Sequence, residues 1–219
     1  TWRFSCSDPN LQNVPKTTGI PLYQLFVAPD GWTFISADYS QIEYRVMANL
    51  CGDENMLQAY EQGRDLHTET TALLEGLGLF TKLKITHPDL KRRMAKTTNF
   101  GILYGVGAYS LAPRLGVPEA EAQRIINAFY KGYPKAKPWQ QEQVAHAKKY
   151  GYVETFLGRR LYTPCALAEE GFLAVHGANQ AANYPVQGGA AEIVKAAMLR
   201  AEDFLVCQVH DELLYLVPE

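Results

Sequence analysis

No stretch of this chain approaches the run of about eighteen apolar residues that a membrane-spanning helix needs, and its N-terminus lacks a charged-then-apolar leader pattern. Those absences point to an intracellular, cytoplasmic setting with no membrane partner. Cysteine is sparse and dispersed: Cys6, Cys51, Cys165 and Cys207 form no C-x-x-C pair. Zinc binding and dithiol redox chemistry are therefore poorly supported, and four free thiols are expected. Internal repeats and low-complexity tracts are missing too, which argues against disorder or a fibre. An excess of positive charge is also missing, since 21 Lys and Arg stand against 23 Asp and Glu for a formal net charge of -2. What is present is ordinary for a globular protein: 219 residues, 47% hydrophobic and 20% charged, enough for one large core or two modest domains.

The total charge speaks against a nucleic-acid partner, but its distribution does not. Between Asp38 and Glu75 there are eight acids and two bases, whereas from Lys82 to Lys96 there are six bases and one acid. From Lys131 to Arg160 seven bases meet two acids. A cation-collecting centre flanked by phosphate-collecting surfaces fits this pattern, although the second basic run also reads as a scattered solvated face.

Residues 1–20 are rich in Ser, Pro, Asn and Thr and read as an irregular, extended segment. Trp32 to Ala37 is β-prone and ends at Asp38, while Ile42, Val46, Met47 and Leu50 have helical spacing. Asp38 thus sits where a strand hands over to a helix, a position that exposes a carboxylate. Helical patterns dominate from about Glu54 to Lys149, broken at Gly76-Leu77-Gly78, His87-Pro88 and Gly132-Tyr133-Pro134. Val117-Pro118-Glu119 starts one of these helices, with Pro118 in its first turn. Val153 to Tyr162 around Gly158 reads as a turn or short hairpin, and Ala190 to Ala201 as a helix. Leu205 to Val209 and Leu213 to Val217 are β-prone runs separated by His210-Asp211-Glu212, which puts Asp211 at the tip of an antiparallel hairpin. Strand, helical insert, helix and hairpin make an α+β arrangement.

Arg92, Lys96, Phe100 and Tyr104 recur at four-residue intervals. On a helix each such step displaces the next member by only about 40° and lifts it by about 6 Å, so the four form one slowly winding stripe. Two cations suited to phosphates precede two rings suited to a sugar or base, the outline of a nucleoside triphosphate. Spacing alone equally describes a solvated basic turn that runs into a core. Gly101 and Gly105 beside the stripe would each cost on the order of 1 kcal/mol in an exposed helix, which predicts that something approaches the backbone closely there.

The pattern Arg-x-x-x-Lys-x-x-x-Phe-Gly-x-x-Tyr-Gly resembles the fingers helix of family A DNA polymerases, the class of bacterial DNA polymerase I. Asp38-Tyr39-Ser40-Gln41-Ile42-Glu43-Tyr44-Arg45 resembles the first palm motif of that family, and Gln208-Val209-His210-Asp211-Glu212-Leu213 its last, in the same order. The resemblance runs from Arg3 to the C-terminus. It implies an antiparallel-sheet palm interrupted by a mostly α-helical fingers subdomain, with palm at 1–52, fingers at 53–170 and palm again at 171–219. It also implies a monomeric, template-directed DNA polymerase of DNA replication or repair. Such an enzyme binds primer-template DNA and deoxynucleoside triphosphates and adds nucleotides to the primer 3′-hydroxyl with release of pyrophosphate.

The same resemblance assigns roles. Asp38 and Asp211, with a main-chain oxygen near Tyr39, would hold two Mg²⁺ ions, one acidifying the primer hydroxyl and one steadying the departing pyrophosphate. Glu212 has a supporting catalytic role. Arg92, Lys96, His67 and Gln41 match triphosphate-side positions, and Lys96 is the candidate acid for the leaving pyrophosphate. Phe100 would pack on the incoming sugar, and Glu43 would fill the space of a ribose 2′-hydroxyl. Tyr104 would stack at the template side. Arg3, Asn183, Gln187 and His210 would contact the duplex through minor-groove acceptors common to all base pairs. In isolation each residue also has a plainer reading: a turn-forming Asp, a surface Glu, a structural His, a capping Asn or Gln.

The chain departs from the family pattern in places. Asn179 stands where members usually carry Arg, which weakens a template contact there. The interval from Gln187 to Asp211 is short, which suggests a trimmed helix or residues missing between Arg200 and Leu205. The motif set begins inside the palm, so a thumb is not expected within this catalytic fragment and no exonuclease domain can be inferred. A single-subunit RNA polymerase shares the aspartates and the Lys-to-Tyr helix, but Glu43 argues against it. A non-catalytic DNA-binding relic would be expected to lose an aspartate, and a two-metal nuclease does not account for the Arg92-to-Tyr104 stripe.

Overall fold

A computed structural model describes residues 2–14 and 22–219. In chain order it comprises β1 (Trp32–Asp38), α1 (Ile42–Cys51), α2 (Glu54–Glu61), α3 (Leu66–Gly76), α4 (Leu79–Lys82), α5 (Pro88–Leu103), α6 (Ala108–Leu115), α7 (Glu119–Gly132) and α8 (Ala136–Tyr150). There follow β2 (Tyr152–Glu154), β3 (Arg160–Tyr162), α9 (Gly171–Arg200), β4 (Leu205–Val209) and β5 (Glu212–Pro218). The α+β expectation holds. The extended segment read for residues 1–20 is described only over 2–14, where it is irregular apart from a 3-10 turn at Leu11–Asn13; residue 1 and residues 15–20 lie outside the described residues.

Two compact units divide the chain: Thr1–Glu43 with Gln187–Glu219, and Tyr44–Val186. The first contains a three-stranded antiparallel sheet in the order β1-β5-β4. Trp32 pairs with Pro218 and the register runs without interruption to Asp38 opposite Glu212, so strands from the two ends of the chain form one surface. Strands β4 and β5 are joined by the two-residue turn His210-Asp211. His210 takes a left-handed φ of 58°, a conformation in which His is enriched among non-glycine residues. The same unit holds its N-terminal segment against α9, where Lys195 donates to the Trp2 carbonyl at 2.6 Å and sits over the Phe4 ring at 4.5 Å.

The second unit is helical because its apolar residues recur at helical spacing between strong caps. Asp53 caps α2 and Asp65 caps α3, each through a backbone N–H of the first turn. Pro88 opens α5, with the His87 Nδ1 accepting from the Asp89 N–H at 3.3 Å. Pro118 proves to be the residue before α7 rather than part of its first turn. Leu66, Leu74, Leu79, Phe80, Ile102, Leu103, Leu111, Ile125 and Phe129 are nearly or wholly buried and form the core of this unit. A smaller cluster of Ala147, Val153, Leu161, Ala166 and Ala181 seats the β2-β3 hairpin. Gly177 is required there: a Cβ on it would enter the backbone of Cys165 and Ala166. The helix read at Ala190 to Ala201 is the last third of the 30-residue α9. All four thiols are free, and no helix among the described residues is long and apolar enough to cross a membrane.

Candidate active site

In the sheet unit, the register brings together carboxylates that are remote in sequence. Asp38 is the last residue of β1, paired with Glu212, and the Tyr39 N–H donates to the Asp211 carbonyl at 3.1 Å. Asp38 and Asp211 therefore lie at the same end of the sheet. Glu212 accepts a hydrogen bond from Ser36 Oγ at 2.6 Å, which fixes its carboxylate over β1. Both aspartates are flanked by backbone in the left-handed region: Gln41 has φ 54° and His210 φ 58°. For residues other than glycine such conformations cost of order 1–3 kcal/mol and collect at functional sites.

Among the described residues no three His, Cys, Asp or Glu side chains cluster as a ready metal cage. Two carboxylates and a carbonyl are nevertheless hard oxygen donors, and Mg²⁺ is commonly held by one or two carboxylates with the remainder supplied by substrate phosphates and water. The residues fit a magnesium ion shared with a substrate rather than one enclosed by protein.

Glu43, at the start of α1, is only 6% exposed. Arg3 forms an ion pair with it, and a buried carboxylate needs such compensation. Gln12 reaches Gln208, donating to its carbonyl at 3.3 Å, and Gln208 in turn donates to the His210 carbonyl. Gln187 is half-buried on α9.

In the helical unit, α5 carries Arg92, Lys96 and Phe100, while Tyr104 lies one residue beyond the helix as its C-cap, with φ −89° and ψ 12°. The rings still meet: Phe100 and Tyr104 centroids are 5.9 Å apart, and Lys96 Nζ lies 5.7 Å from the Phe100 centroid. Arg92 is bound to the first turn of α3, 2.5 Å from Asp65 Oδ2 and donating to Thr68 Oγ1 at 3.1 Å. His67, from the same turn, is buried between Tyr44 at 5.6 Å and Phe100 at 5.9 Å. Burial pushes its pKa below the ordinary value near 6.5, and Arg92 and Lys96 add to that against the opposing Asp65. Asn183 is half-buried on α9, and its Oδ1 is buried without a hydrogen-bond partner among the described residues. Asn179 lies beside Gly105.

The close approach expected at the two glycines is present. A Cβ on Gly101 would stand 3.0 Å from Leu111 Cδ1, and one on Gly105 2.9 Å from Asn179 Oδ1. Gly105 also has φ 71°. The close approach is thus made by α6 and α9, so protein packing and a left-handed helix exit account for both residues.

Three residues that sequence reasoning passed over complete this face. Asn99 is fully buried beside the stripe and bonds His67. Gln140 donates to the Ile102 and Leu103 carbonyls at 3.1 and 3.4 Å and accepts from Tyr130 Oη at 2.7 Å, so it satisfies the end of α5. Tyr44 contributes the ring against which His67 and Phe100 rest. Asn99 and Gln140 share a legible signal: each is an amide on a face otherwise occupied by apolar side chains, where a partner is obligatory.

Comparisons with known proteins agree along the whole length. The model of the family described as DNA polymerase family A matches residues 1–219. The thermostable DNA polymerase I of Thermus aquaticus is 41% identical over 228 aligned residues, covering 100% of this chain and 27% of that protein. DNA polymerase I of Pseudomonas aeruginosa is 40% identical over 230 residues, covering 100% and 25%. Among solved structures, the POL domain of Pol1 from M. smegmatis, in complex with DNA primer-template and dNTP, is 33% identical with a TM-score of 0.85, over 99% of this chain and 40% of that chain. The chain spans about a quarter of the length of the curated relatives it matches.

Proposed function

Since the chain belongs to DNA polymerase family A, we propose that it carries the nucleotide-adding centre of a template-directed DNA polymerase, which transfers a deoxynucleotide to a primer 3′-hydroxyl and releases pyrophosphate. The observation that carries this reading is the sheet register, which sets Asp38 opposite Glu212 and ties Tyr39 to Asp211. Asp38, Asp211 and the Tyr39 carbonyl would hold Mg²⁺, which when bound offsets the charge of the triphosphate and makes the primer hydroxyl more acidic. Palm is assigned to 1–52 and 171–219 and fingers to 53–170, divisions of function that need not follow the packing units. Left-handed His210 holds the turn on which Asp211 stands, and left-handed Gln41 belongs to the turn between Asp38 and α1.

Each remaining residue acts through its own chemistry. Arg92 exchanges Asp65 for triphosphate oxygens, a trade of one anion for another that leaves the guanidinium paired throughout. Lys96 binds the same group and donates a proton to the departing pyrophosphate. Gln41 and His67 add neutral contacts on the triphosphate side. Phe100 offers its ring to the sugar, and Glu43 occupies the volume of a 2′-hydroxyl. Tyr104 stacks at the template side. Arg3, Gln187, Asn183 and His210 contact minor-groove acceptors of the duplex.

The test is extension of a labelled primer on a DNA template by the full natural polypeptide, with Mg²⁺ and either dNTPs or rNTPs, beside an Asp211→Ala variant. Extension with dNTPs that falls at least about a thousandfold in the variant, some 4 kcal/mol of transition-state stabilisation, supports the proposal. Equal use of rNTPs would move the assignment to an RNA polymerase. DNA binding without extension would leave only a binding module.

A further inference from the structure

The hydrogen bonds around Asn99 have one direction that satisfies every atom. Thr70 Oγ1 lies 2.7 Å from Asn99 Oδ1, and Asn99 Nδ2 lies 3.3 Å from the Leu66 carbonyl and 2.9 Å from His67 Nδ1. A carbonyl accepts only, so Nδ2 is the amide nitrogen and donates; Oδ1 then receives the threonine hydroxyl. An amide N–H aimed at His67 Nδ1 requires that nitrogen to be unprotonated. Neutral imidazole must then carry its proton on Nε2. Asn99 and Thr70 are 0% and 1% exposed, so water does not compete for these bonds.

We propose that Asn99, oriented by Thr70, is a positioning residue that locks His67 as the Nε2–H tautomer, so that His67 serves as a neutral hydrogen-bond donor to the triphosphate. This rests on the reading above that His67 faces the triphosphate. The neutral form suits its surroundings. The charged groups that reach the ring are Asp65 on its own helix and Arg92 and Lys96 on α5, with Tyr44 packed against it from α1. Beside two cations a third positive charge is unfavourable, whereas an Nε2–H adds a hydrogen bond to an anion without that repulsion. The tautomer itself is set by three buried hydrogen bonds.

The decisive variant is Asn99→Asp, which keeps the shape but can only accept at Nδ1. It should move the ring proton to Nδ1 in the neutral form and restore an Nε2–H only when the imidazole is protonated. In the full natural polypeptide, KM for dNTP should rise about tenfold at pH 8 and recover as the pH is lowered, with kcat changed less. On a His67→Gln background the same substitution should add nothing, since it acts through the ring. Thr70→Val, which leaves the fold's larger core intact, should shift KM in the same direction by a smaller factor. Solid-state ¹⁵N spectra of histidine-labelled protein, assigned with His67→Gln, should show an unprotonated Nδ1 that becomes protonated in Asn99→Asp. An unchanged tautomer, or effects of Asn99→Asp and His67→Gln that multiply, overturn the proposal. A switched tautomer with no change of KM in any variant, His67→Gln included, instead refutes the assignment of His67 to the triphosphate.

Discussion

Glu43 is the residue at which physical cost and proposed task coincide most closely. A carboxylate that is 6% exposed is held by Arg3, and the same burial keeps it rigid enough to act as a volume filter. Glu43→Ala should therefore raise the efficiency of rNTP use relative to dNTP by about tenfold or more, near 1.4 kcal/mol, measured as the ratio of the two kcat/KM values. An unchanged ratio would remove Glu43 from sugar selection. His67 offers a test that needs no substrate. Its folded pKa lies below the value near 6.5 of an exposed histidine, because burial disfavours the charged ring. The unfolded chain consequently binds more protons between the two values, and stability falls as the pH drops from 6.5 through the folded pKa. Urea midpoints at pH 7.5 and 5.5 should differ more for the natural chain than for His67→Gln. Equal differences would mean that the ring titrates alike in both states.

Elements owe their positions to a few polar anchors. Asp53, 1% exposed, accepts from the Met56 N–H at 3.1 Å and from the Lys135 N–H at 2.9 Å, so one side chain caps α2 and fixes the approach to α8. Asp53→Ala should destabilise the chain by about 2 kcal/mol, the cost of a lost cap and an unmet buried donor, read from urea titration. Asp53→Asn should lose roughly half as much, since one oxygen still accepts. At this scale much was legible in advance. The β-prone run to Asp38, the helix breaks at Gly76-Leu77-Gly78 and His87-Pro88, and the hairpin of β4 and β5 follow from local periodicity and turn chemistry. What escaped was the identity of neighbours. The spacing of Gly101 and Gly105 announces a close approach, but only the packing of Leu111 and Asn179 says that the approach is internal. The extension of α9 back to Gly171, across Pro185 and several glycines, likewise overrides local propensity through burial of Ala181, Ala182 and Val186.

For the molecule as a whole, the two units differ in how far apart their partners lie along the chain. Tyr44–Val186 is continuous and its elements meet near neighbours in sequence, such as α6 with α7 and β2 with β3. The sheet of the other unit pairs β1 with β5 from opposite ends, so a large loop-closure cost must be met before any bond of that ladder forms, although the β4-β5 hairpin is local. No local pattern encodes that pairing, which is why the meeting of Asp38 with Asp211 was reached by resemblance and not by periodicity. Contacts of high sequence separation form slowly, while local helical contacts form fast. Pulse-labelling hydrogen exchange during refolding should accordingly protect amides of α3, α5 and α7 before those of β1 and β5. The two aspartates would then be assembled last, with Tyr39 N–H protection appearing together with that of Trp32 to Asp38. Simultaneous protection of both sets would show that the sheet nucleates with the helices, and the separation of the chain into two units would then have no counterpart in the order of folding.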